Sequence, residues 1–239
     1  MKKTTTILAS LLFTASAFAQ TTESLADRAN KYNQRYQLQS LNEKLVDNHG
    51  DGYENMYGVR NFRQVLKGIL YRGGANNSYN KYGKRDNQNP LPNIGLKNLC
   101  NEGFGATVYL YETNFSSAPK QVNCNTVESK SNTLKYIQMT AADVDNTSKY
   151  LEMIYNAIKG TGTSPLYMHC WNGWHASGLV SSLALRQFCG MSGKDALAYW
   201  MKNTDGNTDG YDTIKKRIVD FQPISKFKIS AEEQNQICL

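Results

Sequence analysis

After the first twenty residues the chain has no long apolar run, which leaves no candidate for a membrane-spanning helix. Histidine is scarce, at three residues, and neither the histidines nor the dispersed cysteines fall at zinc-ligand spacing, so no metal centre and no resident cofactor is expected. Five prolines and eighteen glycines exclude collagen-like and proline-rich classes. Charged residues make up only 20%, with no basic helix and no aromatic–basic stripe, so nucleic acid is not an expected partner. What is present is apolar and aromatic. Hydrophobic residues are 40% and tyrosines number fifteen, enough in 239 residues to bury a substantial core.

The N-terminus reads as a secretory signal, residues 1–19. Lys2 and Lys3 precede an apolar stretch from Ile7 to Phe18, and Ala17-Phe18-Ala19 fits a small-x-small cleavage site. Removal near Ala19 takes the formal net charge from +7 to +5, a mild excess that tolerates anionic substrates. The expected destination is a bacterial periplasm or the exterior. In such a compartment cysteines pair, and five of them leave one over. Cys100 and Cys124 flank one apolar segment, and Cys189 and Cys238 can tie the C-terminal tail to a helix end. Economy then leaves Cys170 as the free thiol.

Residues 20–57 read as an N-terminal extension, with Leu25, Ala29 and Tyr32 on one helical face and Leu38, Leu41 and Leu45 on another. Residues 58–239 read as one domain. Phe62, Val65 and Ile69–Tyr71 mark a strand or two, and residues 75–93 a long loop of the kind that binds ligands. A short helix ends near Cys100, and Ala106–Tyr111 is a strand. A polar loop runs to Cys124, and Leu134–Met139 is a further strand. A helix capped by Thr147 or Ser148 follows, and Pro165–His169 is a short buried strand. Helices then follow from Leu179, from a Ser192/Asp195 capping pair, and around Ile214–Phe221. Residues 203–210 read as turns: Asp205-Gly-Asn207-Thr-Asp209-Gly210 matches half a calcium loop, but Lys216 stands where the closing glutamate belongs. This order predicts an α/β fold with a central sheet.

Between the last strand and its helix lies HCWNGWHASG, His169 to Gly178. Cys170 therefore sits at a strand end, before a helix N-terminus whose amides and dipole suit an anion and favour a thiolate over a thiol. The segment resembles the signature H-C-x-x-G-x-x-R-[ST]-G of the cysteine-dependent protein tyrosine phosphatase superfamily, in particular its compact dual-specificity-like branch. His169, Cys170, Gly173, Ser177 and Gly178 are in register, and ILYRGG at 69–74 is similar to the early strand of that family. The resemblance implies a phosphatase-like three-layer fold, a central mixed sheet flanked by helices. It implies Cys170 as nucleophile, Ser177 as donor to its sulfur and His169 as a residue that orients the loop. Residues Trp171, Asn172, Gly173, Trp174, His175 and Ala176 become a phosphate-binding loop, and Asp143, with Asp145 close behind, the general acid.

One position departs. Ala176 occupies the place of the signature arginine, whose guanidinium holds two phosphoryl oxygens. Loss of such a donor costs several kcal/mol, about a thousandfold or more in rate. Arg72 is the candidate auxiliary cation; Arg186, ten residues down the exit helix, is about 15 Å away. Two functions follow. One is an exported phosphatase-like protein that hydrolyses phosphate monoesters weakly through a cysteinyl-phosphate. The alternative is an inactive pseudophosphatase that binds a phosphorylated or other small anion, or a protein partner.

Overall fold

The computed structural model describes residues 23–76 and 90–239. The expected signal segment, residues 1–19, and most of the expected 75–93 loop lie outside them. The described chain forms α1 (Leu25–Tyr36), β1 (Val59–Leu66), β2 (Leu70–Ala75), α2 (Asn93–Asn101), β3 (Ala106–Tyr109), β4 (Gln121–Asn125) and β5 (Ser131–Gln138). It continues with α3 (Asn146–Ile158), β6 (Leu166–Cys170), α4 (His175–Cys189), α5 (Gly193–Lys202), α6 (Asp212–Asp220) and α7 (Ala231–Ile237). The six strands make one mixed sheet in the order β1-β2-β6-β3-β5-β4. The inner four, β2, β6, β3 and β5, run parallel, while β1 and β4 pair antiparallel at the edges. The α/β architecture expected from the sequence is the one observed.

Alternation along the strands divides the core between the two faces. Leu166 and Met168 of β6 join Val108 of β3 and pack against Leu151 and Ile154 of α3 and Leu179 and Leu183 of α4. On the other face Tyr167 joins Phe62, Tyr71 and Phe104, and these meet Leu96 and Leu99 of α2 and Tyr32 and Tyr36 of α1. Much of the tyrosine excess is spent there. Tyr167 and Phe62 stack with ring centroids 5.5 Å apart, and Tyr71 stacks on Phe62 at 5.3 Å. The disulfides are the expected ones: Cys100–Cys124 joins α2 to β4, and Cys189–Cys238 joins the end of α4 to the chain after α7. They close loops of 24 and 49 residues, each removing roughly 3–4 kcal/mol of freedom from the unfolded chain.

Several local expectations fail for identifiable reasons. The segment with Leu38, Leu41 and Leu45 is not helical. The Glu43 carboxylate takes the Gln39 N–H (2.9 Å) and the Ser40 hydroxyl takes the Asn42 N–H (3.2 Å), so local side chains claim the amides a helix would use. The polar loop before Cys124 contains β4, an edge strand whose outer side is exposed and whose sequence is accordingly polar. Helix α3 starts at Asn146 without a side-chain cap; the Thr147 hydroxyl instead accepts from Tyr150 and Arg217. A C-terminal helix, α7, was not expected, although Ser230 and Glu233 form a full capping box at its start. Among the described residues no helix is long and apolar enough to cross a membrane.

Candidate active site

The parallel strands all point their carboxyl ends the same way, and the loop after β6 lies there, where ligands collect in open α/β sheets. Strand β2 runs beside β6 with Gly73 opposite His169 and Gly74 opposite Cys170. Both glycines are required. A Cβ on Gly74 would stand 2.4 Å from the Trp171 carbonyl oxygen, and one on Gly73 would stand 2.6 Å from the Arg60 carbonyl oxygen and 2.2 Å from the Tyr167 hydroxyl. The bare backbone of β2 therefore gives the loop a flat bed. Gly173 reverses the chain over it with φ +77, a conformation other L-residues rarely adopt.

Four of the loop's carbonyls are bonded from outside it. The Trp171 carbonyl accepts the Ala75 N–H (2.9 Å), and that of Asn172 accepts the Asn61 side-chain amide (2.7 Å). Arg72 donates through Nη2 to the carbonyls of both Gly173 (2.5 Å) and Trp174 (3.0 Å). Four consecutive C=O groups thus point away from the cavity. A trans peptide carries its N–H opposite its C=O, so the amides of Asn172 to His175 are turned the other way. They join the N-terminal amides of α4 in a cup around the end of β6, an arrangement suited to a compact anion. Cys170 sits at its floor, 5% exposed and with a free thiol, its Sγ 3.6 Å from the Ser177 Oγ.

Beneath the cup, a chain of hydrogen bonds fixes His169. The Leu91 N–H donates to the Tyr136 hydroxyl (2.9 Å), which lies 3.0 Å from His169 Nε2; His169 Nδ1 lies 3.2 Å from the Cys170 carbonyl. A carbonyl only accepts, so Nδ1 carries the proton and Nε2 accepts from the tyrosine. Complete burial pushes the imidazole down to about 3, the backbone bond opposing only weakly, so His169 is neutral and holds the backbone of Cys170.

Cys170 opens into a cavity of about 790 Å³, walled also by Trp171, Asn172, Trp174, His175 and Ala176. Of the expected loop residues, the structure brings these together with the sulfur, and Gly173 and Ser177 support them from behind. It does not bring in Asp143 or Asp145. The cavity wall includes Thr140, Ala141 and Ala142 and stops short of both. Asp143 instead accepts the Asp145 N–H (2.9 Å) in an exposed turn, and Asp145 precedes the first residue of α3. The carboxyl groups that do line the cavity are Glu112 and Asp209, and a guanidinium, Arg217, lines it too. The sequence signal for Glu112 is only its place just after a strand; that this strand runs parallel beside β6 is seen in the fold. The turn-rich 203–210 segment signalled a loop but not that it would form a wall.

That segment is held by its own polar residues. Asp205 accepts from Lys44 (2.9 Å) and from the Trp174 indole (3.0 Å). Burial would raise this carboxyl, but the Lys44 and Trp174 bonds outweigh it and hold Asp205 below its ordinary range. His175 donates through Nε2 to the Asn207 carbonyl (2.7 Å) and stacks on Tyr211 at 3.7 Å; burial, only partly opposed by that bond, lowers its imidazole. On the opposite wall Tyr111 and Trp171 lie 4.3 Å apart.

Arg72 and Arg186, the other cations considered for this loop, lie outside the cavity. Arg72 is fully buried on the far side of the loop; its Nη1 donates to the Tyr199 hydroxyl (3.1 Å) and its Nη2 to the loop carbonyls, and it does not line the cavity. Arg186 donates to the carbonyls of Ile218 and Val219. Two further buried arginines, Arg60 and Arg63, stand with Arg72 on β1 and β2, and burial together with the charge of Arg72 brings Arg63 down to about 10.

No protein-family profile matches this chain. No curated protein matches it either. Solved structures similar to it include the core catalytic domain of the PP-IP phosphatase SIW14 from S. cerevisiae in complex with citrate, at 16% identity and TM-score 0.43, covering 73% of this chain and 93% of that one. The Siw14 catalytic core is similar at 14% identity and TM-score 0.46, covering 81% and 96%. Tk-PTP in its active form is similar at 17% identity and TM-score 0.40, covering 63% and 90%.

Proposed function

We propose that this chain is an exported, phosphatase-like protein that binds an anionic phosphoryl group over the loop 171–176 and hydrolyses its ester through Cys170. The observation that carries the reading is the outward bonding of four consecutive loop carbonyls next to a free thiol, which supports amides turned the other way, into the cavity. In the proposed reaction the sulfur attacks phosphorus, an S–P bond forms, and the P–O bond to the leaving alcohol breaks with its electron pair on oxygen. Water then attacks phosphorus and releases the sulfur. Ser177, beside Sγ, donates to the thiolate as it leaves. Glu112, on the cavity wall, is better placed than Asp143 or Asp145 to protonate the departing oxygen. Two disulfides and the N-terminal 1–19 pattern support export.

Turnover is expected to be weak, because Ala176 supplies no donor to the transition state. The test is a panel of phosphate esters with wild type, Cys170→Ser, Glu112→Gln and Asp143→Asn. Turnover that vanishes in Cys170→Ser, and falls about tenfold or more in Glu112→Gln but not in Asp143→Asn, supports the full assignment. One observation favours the second reading, a pseudophosphatase that binds an anion without turnover: the cavity holds no guanidinium in the loop itself. Tungstate binding with no turnover above Cys170→Ser would select it.

A further inference from the structure

The cavity around Cys170 is built for more than one phosphoryl group. At about 790 Å³ this half-open cavity has room for a small molecule beyond the phosphoryl group. Four of its five aromatic side chains form two pairs, and the fifth, Trp174, lies edge-on to His175. Tyr111 and Trp171 stand at the end of β3 and the start of the loop, and His175 and Tyr211 stand at the N-termini of α4 and α6. Flat faces on two walls suit two organic arms meeting over one anion.

The charges point the same way. Among the described residues lining the cavity, one guanidinium, Arg217, accompanies two carboxyl groups, Glu112 and Asp209. Arg217 is already bonded to the Ala141 carbonyl (2.6 Å) and the Thr147 hydroxyl (3.2 Å). This wall offers no surplus positive charge for a dianion, whereas a monoanion needs only the amide cup. The alanine at 176 fits that count. A loop arginine grips two free phosphoryl oxygens with a planar fork. A phosphomonoester presents three free oxygens around the phosphorus under attack, but a phosphodiester presents two and an esterified third. A ring of donors closed on all three positions, by amides and a fork together, has no room for the second ester arm, so one side of the ring must open. The methyl of Ala176, half-buried on the cavity wall, leaves that space open and no buried donor unpaired.

We infer that the substrate is a phosphodiester, a monoanion with two organic arms, and that Ala176 is a specificity determinant that admits the second arm. The inference rests on the proposed role of Cys170 as nucleophile. The reaction balances as hydrolysis: sulfur displaces one arm, whose oxygen leaves with the electron pair and takes a proton. Water then breaks the S–P bond, giving a phosphomonoester and one alcohol and restoring the thiolate.

The test compares bis(4-nitrophenyl) phosphate, 4-nitrophenyl phosphate and 4-nitrophenyl sulfate, with Cys170→Ser as the blank for each. The expected wild-type result is a kcat/KM on the diester about tenfold or more above that on the monoester, and no sulfate turnover. Ala176→Arg is expected to lower the diester-to-monoester ratio by about tenfold or more, and Ala176→Leu, which fills the space without charge, to depress the diester alone. Should neither variant fold, the wild-type ratio still decides. Cys170-dependent turnover that favours the monoester or the sulfate overturns the diester assignment and leaves the nucleophile in place. Absence of Cys170-dependent turnover on all three overturns both, and tungstate binding then separates a binding protein from a loop that holds no anion.

Discussion

The two sides of the Cys170 loop are built from opposite materials. Behind it, β1 and β2 bury three arginines, Arg60, Arg63 and Arg72, at 1% exposure or less, and Arg72 spends its guanidinium on loop carbonyls. In front, aromatic rings and two carboxyl groups surround one arginine. The buried positive charge is thus concentrated under the backbone of the loop, not along the cavity. The difference teaches that gripping an anion and shaping the loop that grips it are separable tasks. In this chain the second falls to the buried framework, and the proposed reading gives the first to amides.

The largest effect expected from breaking that framework is a pH dependence. The folded state holds His169 at about 3 against an ordinary 6.5, because burial disfavours the imidazolium. Its contribution is complete above pH 6.5, where the unfolded chain is neutral at this position too. It declines as pH falls from 6.5 toward 3, where the unfolded chain takes up the proton first, by roughly 5 kcal/mol in all. Urea unfolding between pH 7 and 4 should show this loss in wild type and a flatter profile in His169→Gln; parallel profiles would mean that His169 is not held neutral. Next is Arg72→Met, which strips a charged donor from two buried carbonyls. The expected cost is about 3 kcal/mol in urea unfolding, with tungstate affinity down about tenfold or more by calorimetry. Unchanged affinity would show that the loop keeps its shape without this prop. Asp205→Asn keeps an acceptor for the Trp174 indole and suits the positive φ (+49) at this position, but it removes the charge shared with Lys44. About 1 kcal/mol in the same unfolding measurement is expected; no change would assign the Trp174 anchor to packing alone.

How much of this was legible in the sequence depends on whether the signal was local. The β6–loop–α4 unit was readable because one contiguous segment carries strand, glycine and helix. The free thiol followed from an odd cysteine count. Helix α7 was readable and missed: Ser230 and Glu233 write its capping box in four residues. The arginine bed was not readable. Arg60, Arg63 and Arg72 lie in runs that pattern as strand, where arginine reads as a solvent-facing residue, and only the folding of the loop after β6 over β2 puts carbonyls within reach of Arg72. The cavity's far wall was hidden for the same reason: Asp209, Tyr211 and Arg217 reach Cys170 through packing between helices remote in sequence. The expected acid at Asp143 followed from position alone; the cavity lining reaches Ala142, its neighbour, and not Asp143 itself.

The front of the loop offers the smallest and most discriminating perturbation. If amides alone bind the anion, the carboxyl groups at the rim oppose it, and neutralising them should tighten binding. Glu112→Gln and Asp209→Asn each change charge with little change in shape. Across a water-filled cavity a unit charge several ångströms away contributes about 0.5 kcal/mol, so each variant should raise tungstate affinity by about two- to threefold. The gain should shrink in high salt, and the two together should nearly multiply. A loss of affinity in either variant would mean that the carboxyl group takes part in holding the ligand. The front wall would then be a set of contacts for a proton-bearing guest, and the division of labour between the two sides of the loop would fail at its weaker side.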